Sequence, residues 1–247
     1  MKAIILVAGV SRRLSAHTRD IPKCLLVVGG RTILDYQLSA LEQAGIQDVV
    51  LVVGYRREQV MEAAQERCPP SAGWRITSVV NHHFFDTNTA HSLWLAGDRF
   101  LGQEFLYLNG DVLFPNELID RIIESTHPTA LAVEIKACGD EEVKVLTDGA
   151  SRIVDIGKEV DKDQALGEFL GIGRFSAEIT RPFYHALGDI VEAGLNTAYF
   201  EHALRELAPN QELHYVDVTD LPCIEIDFPE DLLQAQALVK AHMLQKK

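Results

Sequence analysis

The 247-residue sequence has four cysteines, at 24, 68, 138 and 223, and no two of them form a C-x-x-C pair. Thiols scattered so widely signal neither a zinc site nor a disulfide framework, and four reduced cysteines are expected. No apolar run approaches the roughly 20 residues that a membrane span requires. The opening Met1-Lys2-Ala3-Ile4-Ile5-Leu6 ceases to be apolar at Gly9 and soon meets Arg12-Arg13. That pattern speaks against a signal peptide and for a cytoplasmic protein. Positive charge is scarce as well, with 23 Lys+Arg against 36 Asp+Glu and a formal net charge of −13. Such a surface repels nucleic acid and anionic membrane at long range. Any phosphate must then be held by a few local cations, backbone amides and a metal ion. Internal repeats, low-complexity tracts and Pro/Ser-rich linkers are missing too, so residues 1–247 read as a single domain. Neither G-x-G-x-x-G nor G-x-x-x-x-G-K-S/T occurs, which tells against a dinucleotide-dependent dehydrogenase and against a P-loop enzyme.

What the chain does have is short, continuous apolar runs bounded by glycine. Lys2 to Ala8 and Val49 to Val53 have the composition of strands buried on both faces of a parallel sheet. Between them Ile33, Leu34, Leu38, Leu41 and Ala44 recur at helical spacing, with Gly45 as a stop. This strand, helix, strand unit predicts a right-handed crossover. A helix is expected over 58–67, a strand over 75–80, a helix over 90–96 and a buried strand over 105–108 that ends at Asn109-Gly110-Asp111. The stretches 130–136 and 142–147 read as antiparallel strands around Gly139-Asp140, 153–157 as a further short strand, and 232–244 as an amphipathic helix. The expected fold is α/β: a Rossmann-like, doubly wound, mixed but mainly parallel sheet. A nucleotide-binding half would cover about 1–133 and an acceptor-binding half about 134–247. Ligands of such sheets lie at the carboxyl ends of the strands, where Gly9 and Asp111 fall.

Three segments carry chemistry. In the first, Leu6-Val7-Ala8-Gly9-Val10-Ser11-Arg12-Arg13-Leu14, a turn of small residues directly follows a buried strand, so backbone N–H groups can approach an anion. About ten residues later Pro22 fixes the backbone before Lys23, which places an ammonium on a stiff segment. The second segment, Leu106 to Asp111, ends an apolar strand on a carboxylate, and Mg²⁺ takes one or two carboxylates together with phosphates and waters. The third is Glu225-Ile226-Asp227-Phe228-Pro229-Glu230-Asp231-Leu232. Proline in a first helical turn followed by acids marks a helix start, so Glu230 and Asp231 read as caps.

These residues resemble the nucleoside-diphosphate-sugar pyrophosphorylase-like nucleotidyltransferases. The family's opening L-A-A-G-x-G-S/T-R-L and P-K-x-L-L correspond to residues 6–14 and 22–26, with Ser11 where the second glycine usually stands. The resemblance implies a GT-A-like nucleotidyltransferase fold, with Arg13 and Lys23 on the triphosphate and acceptor phosphate. It further implies Mg²⁺ held by Asp111 and Asp227. Val7, Ala8, Gly9, Val10, Ser11, Arg12 and Arg13 would wrap the nucleotide together with Lys23, Asn88, Thr89, Ser92 and Asp111.

Further details resemble the subgroup that uses CTP and phosphocholine, aminoethylphosphonate or inositol phosphate. They are Asn81 through Asn88-Thr89-Ala90-His91-Ser92-Leu93, Glu142 to Val145, Ile156-Gly157-Lys158, and Gly167 to Ile172. Lys158 stands where the family places a lysine on the acceptor phosphate. An ammonium-bearing acceptor would want aromatic faces and a carboxylate, for which Trp94, Tyr199, Phe200, Glu168 and Glu201 are candidates. The expected reaction transfers CMP from CTP to a small phosphorylated or phosphonate acceptor. A hexose-1-phosphate nucleotidyltransferase and a nucleotide-sensing module are the alternatives. No nucleic acid and no membrane span are expected as partners.

Overall fold

The computed structural model describes residues 1–10, 14 and 21–243. Strand β1 (Lys2–Val7) leads to a 3₁₀ turn at Lys23–Leu25, a small hairpin of β2 (Val27–Val28) and β3 (Arg31–Thr32), and helix α1 (Ile33–Gln43). Thr32 caps α1 by accepting a hydrogen bond from Asp35 N at 3.1 Å, and Gly45 turns the chain out at φ +74°. Next come β4 (Asp48–Val53), α2 (Arg57–Arg67), β5 (Arg75–Val80), α3 (Thr89–Leu95), α4 (Gly97–Phe100) and β6 (Phe105–Asn109). The short β7 (Val112–Leu113) precedes α5 (Glu117–Glu124), β8 (Ala130–Glu134), β9 (Lys144–Thr147), β10 (Ile153–Gly157) and β11 (Gly167–Phe175). The chain then runs through α6 (Ala177–Glu192), α7 (Glu201–Leu207), β12 (His214–Asp217), β13 (Ile224–Glu225) and α8 (Pro229–Leu238).

One nine-stranded sheet has the order β10-β9-β11-β6-β1-β4-β5, and β8 and β12 branch from β11. The parallel centre pairs β1 with β4 and with β6, so that Val7 lies opposite Val53 and Leu6 opposite Asn109. Period-two alternation divides the side chains. Ala3, Ile5 and Val7 pack with Leu34, Leu38 and Leu41 of α1 and with Leu118 and Ile122 of α5, while Ile4 and Tyr107 pack with Leu93 of α3, Phe183 of α6 and Phe200. Burial on both faces accounts for the uninterrupted apolar runs.

The strands expected at 130–136 and 142–147 form, but not as a hairpin. β11 lies between β8 and β9 and pairs antiparallel with both. Local turn chemistry at Gly139-Asp140 suggested adjacent pairing, whereas nine residues of β11, buried along almost their whole length, contribute more apolar contact than a short hairpin. The C-terminal helix begins at Pro229 and runs to Leu238, followed by a π-helical turn to Met243. All four cysteines are free.

Candidate active site

The carboxyl ends of β1 and β6 open into a cleft of about 610 Å³, within the range of small-ligand sites. Val7, Ala8, Gly9 and Val10 line one wall. Ala8 O accepts from Tyr55 N at 3.0 Å and Leu6 O from Gly110 N at 3.0 Å, so the loops after β1, β4 and β6 are tied together. A side chain at Gly110 would collide with Val7 and the Leu6 carbonyl, which is why glycine precedes Asp111. Ser11, Arg12 and Arg13 lie outside the described residues.

Pro22 is extended at φ −54°, ψ 141°, and Leu25 N closes the 3₁₀ turn onto Pro22 O at 2.9 Å. Buried Cys24 anchors this turn, and Lys23 projects into the cleft. Its Nζ lies 2.7 Å from Asp111 Oδ2 and 2.5 Å from Asp227 Oδ1. Burial works against the ammonium, but Asp111, Asp227 and Glu225 outweigh it and hold the Lys23 pKa above its ordinary value. Residues separated by 88 and 204 positions thus meet at one cation.

The β7–β13 pairing brings the two acids together. Glu225 lies opposite Val112, and Ile226 N donates to the Asp111 carbonyl at 3.1 Å. The Asp231 carboxylate accepts from Asp227 N at 2.9 Å and Phe228 N at 2.7 Å, fixing Asp227 while capping α8. Asp111, Glu225 and Asp227 each offer a ligand oxygen, and these oxygens lie within 4.8 Å of one another. Asp111 Oδ1 is buried and has no hydrogen-bond partner among the described residues. Three hard oxygen donors with one buried lone pair unused fit a divalent cation such as Mg²⁺. The sequence presents Glu225 only as part of a motif, two residues before Asp227. Glu225 is open to the cleft, yet crowding by protein and then the Asp111 charge raise its pKa above the ordinary carboxylate value.

On the wall formed by α3, Asn88, Thr89 and Ser92 all line the cleft. Asn88 caps the helix by accepting from Thr89 N at 2.8 Å. Asn81, which the sequence presented only as the start of a motif, lines the cleft as well, almost wholly buried, and donates to Thr87 Oγ1 at 2.9 Å and Ser92 Oγ at 3.0 Å. Thr89 Oγ1 accepts from Phe200 N at 3.0 Å, which joins this wall to the segment carrying Tyr199 and Glu201.

Lys158, Glu168, Tyr199 and Glu201 also line the cleft. Lys158 Nζ lies 5.1 Å from the Tyr199 ring centre and 3.4 Å from Glu141 Oε2. Glu168 pairs with Lys136 at 2.6 Å, and burial still raises its pKa. Glu201 is 4% exposed, and its Oε2 has no hydrogen-bond partner among the described residues. Burial pushes its pKa up to about 7. Trp94 and Phe200 do not join them. The Trp94 ring packs beside His91 and over Gly188 of α6, partly buried against the core, and Phe200 is wholly buried in that core with Tyr107 and Phe183.

A doubly wound sheet with a lysine, three carboxylates and a small-residue turn at its strand ends is the architecture of a nucleotidyltransferase. Residues 3–171 match the MobA-like NTP transferase domain model, and the chain belongs to that family. It is 30% identical over 248 residues to the CMP-5'-(3-aminopropyl)phosphonate synthase of Streptomyces rubellomurinus, covering 95% of this chain but 38% of that protein. It is 26% identical to the CTP:phosphoglutamine cytidylyltransferase of Campylobacter jejuni, over 94% of this chain and 98% of the relative. The fold resembles that of the CTP:phosphocholine cytidylyltransferase of Streptococcus pneumoniae, with a TM-score of 0.78 at 21% identity, over 96% of this chain and 98% of that one.

Proposed function

We propose that the protein transfers CMP from CTP to a small acceptor that carries a phosphate or phosphonate at one end and an ammonium at the other, releasing pyrophosphate. The observation that carries this reading is the division of charge in the cleft. Lys23, Asp111, Glu225 and Asp227 gather at the strand ends, and buried Glu201, whose Oε2 has no hydrogen-bond partner among the described residues, lines the same cleft. The first group suits a metal-bound triphosphate. The second asks for a cation, which a hexose phosphate does not supply.

In the reaction an anionic oxygen of the acceptor forms a bond to the α-phosphorus of CTP. The bond from that phosphorus to the bridging oxygen breaks, and its electron pair leaves with pyrophosphate. No residue need remove a proton, since the attacking oxygen is already ionised near neutral pH. The work of the chain is to hold two anions in line and to offset their repulsion. Lys23, on its stiff Pro22 segment, brings positive charge to the phosphates, and Arg13 joins it by its place in the motif. Lys158 neutralises the acceptor's phosphate, and Val7 to Arg13, with Asn88, Thr89 and Ser92, seat the nucleotide. Glu201 and Glu168 receive the ammonium against the Tyr199 ring. Mg²⁺, held by Asp111 and Asp227 with Glu225, would supply further neutralisation of the triphosphate.

Pyrophosphate release measured with CTP, UTP, dTTP or GTP, Mg²⁺ and a panel of acceptors tests the proposal. Turnover is expected with CTP and an aminoalkyl phosphonate or amino-alcohol phosphate. Turnover confined to a hexose 1-phosphate, or nucleotide binding without turnover, would overturn it.

A further inference from the structure

Gln37 lies on α1 with no exposed surface, among leucines that pack the helix on the sheet. Its Nε2 donates to two carbonyls at once, Asn109 O at 2.8 Å and Val112 O at 2.9 Å. These carbonyls bracket Gly110 and Asp111, so one amide group spans the turn that carries the cleft's carboxylate. Its Oε1 has no hydrogen-bond partner among the described residues. A buried amide with an unused acceptor is a cost that a leucine or methionine of similar volume would avoid. Its presence calls for a return elsewhere, and the turn is where its bonds go.

The other fastenings of this turn come from different directions. Gly110 N donates to Leu6 O on the β1 side, and Ile226 N donates to Asp111 O on the β13 side. The Tyr107 hydroxyl holds the Asn109 side chain at 2.5 Å. Gln37 supplies the clamp from the helix layer. Without it, Asn109 O and Val112 O would be left without the donor that ties them to α1, and the turn would gain freedom to pivot about the β1 and β13 contacts. The geometry points to Gln37 as a positioning residue that aims Asp111 at Glu225 and Asp227, and so sets the affinity of the three carboxylates for a divalent cation. Two donors on one nitrogen are needed: an ionised glutamate has none, methionine has none, and asparagine is one methylene too short to reach both carbonyls. The inference rests on Asp111 as a metal ligand, and it concerns aim and not contact with substrate.

Mn²⁺ alone serves as the probe, its free concentration followed by electron paramagnetic resonance in the presence of the whole protein without nucleotide. Wild type, Gln37→Met, Asp111→Asn and the double variant are compared, with circular dichroism confirming the fold. Gln37→Met is expected to weaken Mn²⁺ binding about tenfold, in line with partners of metal-ligating groups elsewhere. Asp111→Asn should weaken it further, and adding Gln37→Met to Asp111→Asn should have no additional effect. The Mg²⁺ concentration for half-maximal turnover should rise by a similar factor, with turnover at saturating Mg²⁺ much less affected. Should Gln37→Met fail to fold, Gln37→Asn replaces it and the same weakening is expected. A folded Gln37 variant with wild-type Mn²⁺ affinity, or additive effects in the double variant, would overturn the positioning role alone. Absence of Mn²⁺ binding by wild type would overturn the reading of Asp111 and the inference with it.

Discussion

Glu201 offers a test in which stability and specificity must move together. It opens α7, is 4% exposed, and holds a proton up to about pH 7 where an ordinary glutamate releases it near 4.5. Burial is the main cause. A hydrogen bond with its own backbone N–H and the charge of Lys158 act in the other direction, while Glu159 adds to the rise. Between pH 4.5 and about 7 the folded protein binds more protons than the unfolded chain, so stability falls as pH climbs through that window. At ~1.4 kcal/mol per pH unit, the gap costs the fold about 3 kcal/mol once pH is well above 7. Glu201→Gln removes the ionisation while keeping an acceptor oxygen. Thermal unfolding should therefore show wild type and variant alike near pH 5, with the variant more stable by about 5–10 °C at pH 8.5. The same carboxylate, unpaired in the cleft, is the proposed seat of the acceptor's ammonium. Losing a charged hydrogen bond of about 1.5–3 kcal/mol should raise KM for an ammonium-bearing acceptor roughly 10- to 100-fold at pH 8. An inositol phosphate, which has no ammonium, should be unaffected. A stability difference that does not change with pH would refute the burial argument. A KM for the ammonium-bearing acceptor that the substitution leaves unchanged, or raises no more than that for inositol phosphate, would remove Glu201 from the acceptor site.

Lys23→Met leaves Asp111 and Asp227 facing each other without the ammonium that lies 2.7 and 2.5 Å from them. Pyrophosphate release should fall by about 10²–10³-fold even at saturating Mg²⁺. Trp94→Phe should leave KM for the acceptor unchanged and lower the unfolding midpoint in urea, since that ring packs against α6 and away from the cleft.

Sequence pattern revealed the parts of this fold that depend on near neighbours and left obscure those that depend on distant ones. The cores of β1 and β4, residues 3–7 and 49–53, were legible because strands buried on both faces leave no polar position there to confuse the reading. Lys23 and Asp111 were legible because a strand end, a glycine and a proline mark where a side chain must leave the sheet. The β8–β9 hairpin failed because nothing local signals that a strand some twenty residues further on will lie between them. Gln37 was invisible for a related reason. It falls at helical spacing with Leu34, Leu38 and Leu41, and only the approach of β6 and β7 shows that its amide has carbonyls to bind. Trp94 followed the rule for aromatics beside leucine, and a place in the cleft was the less physical expectation.

The sharpest puzzle in the composition is an acidic protein, net −13, whose proposed substrates are polyanions. The cleft resolves it by keeping its acids in two groups with different fates. Asp111, Glu225 and Asp227 converge within 4.8 Å and already attract a lysine, and under the proposal a divalent cation would complete their neutralisation, so that the group would no longer repel a triphosphate. Glu201 and Glu168 have no such ion to share. Lys136 serves Glu168, and Lys158 is drawn toward Glu141 and the Tyr199 face. An acceptor carrying only phosphate would add negative charge beside these carboxylates, whereas one that brings its own ammonium cancels it. Under the proposal, the acidity inside the cleft would act as a filter on the charge at the far end of the acceptor.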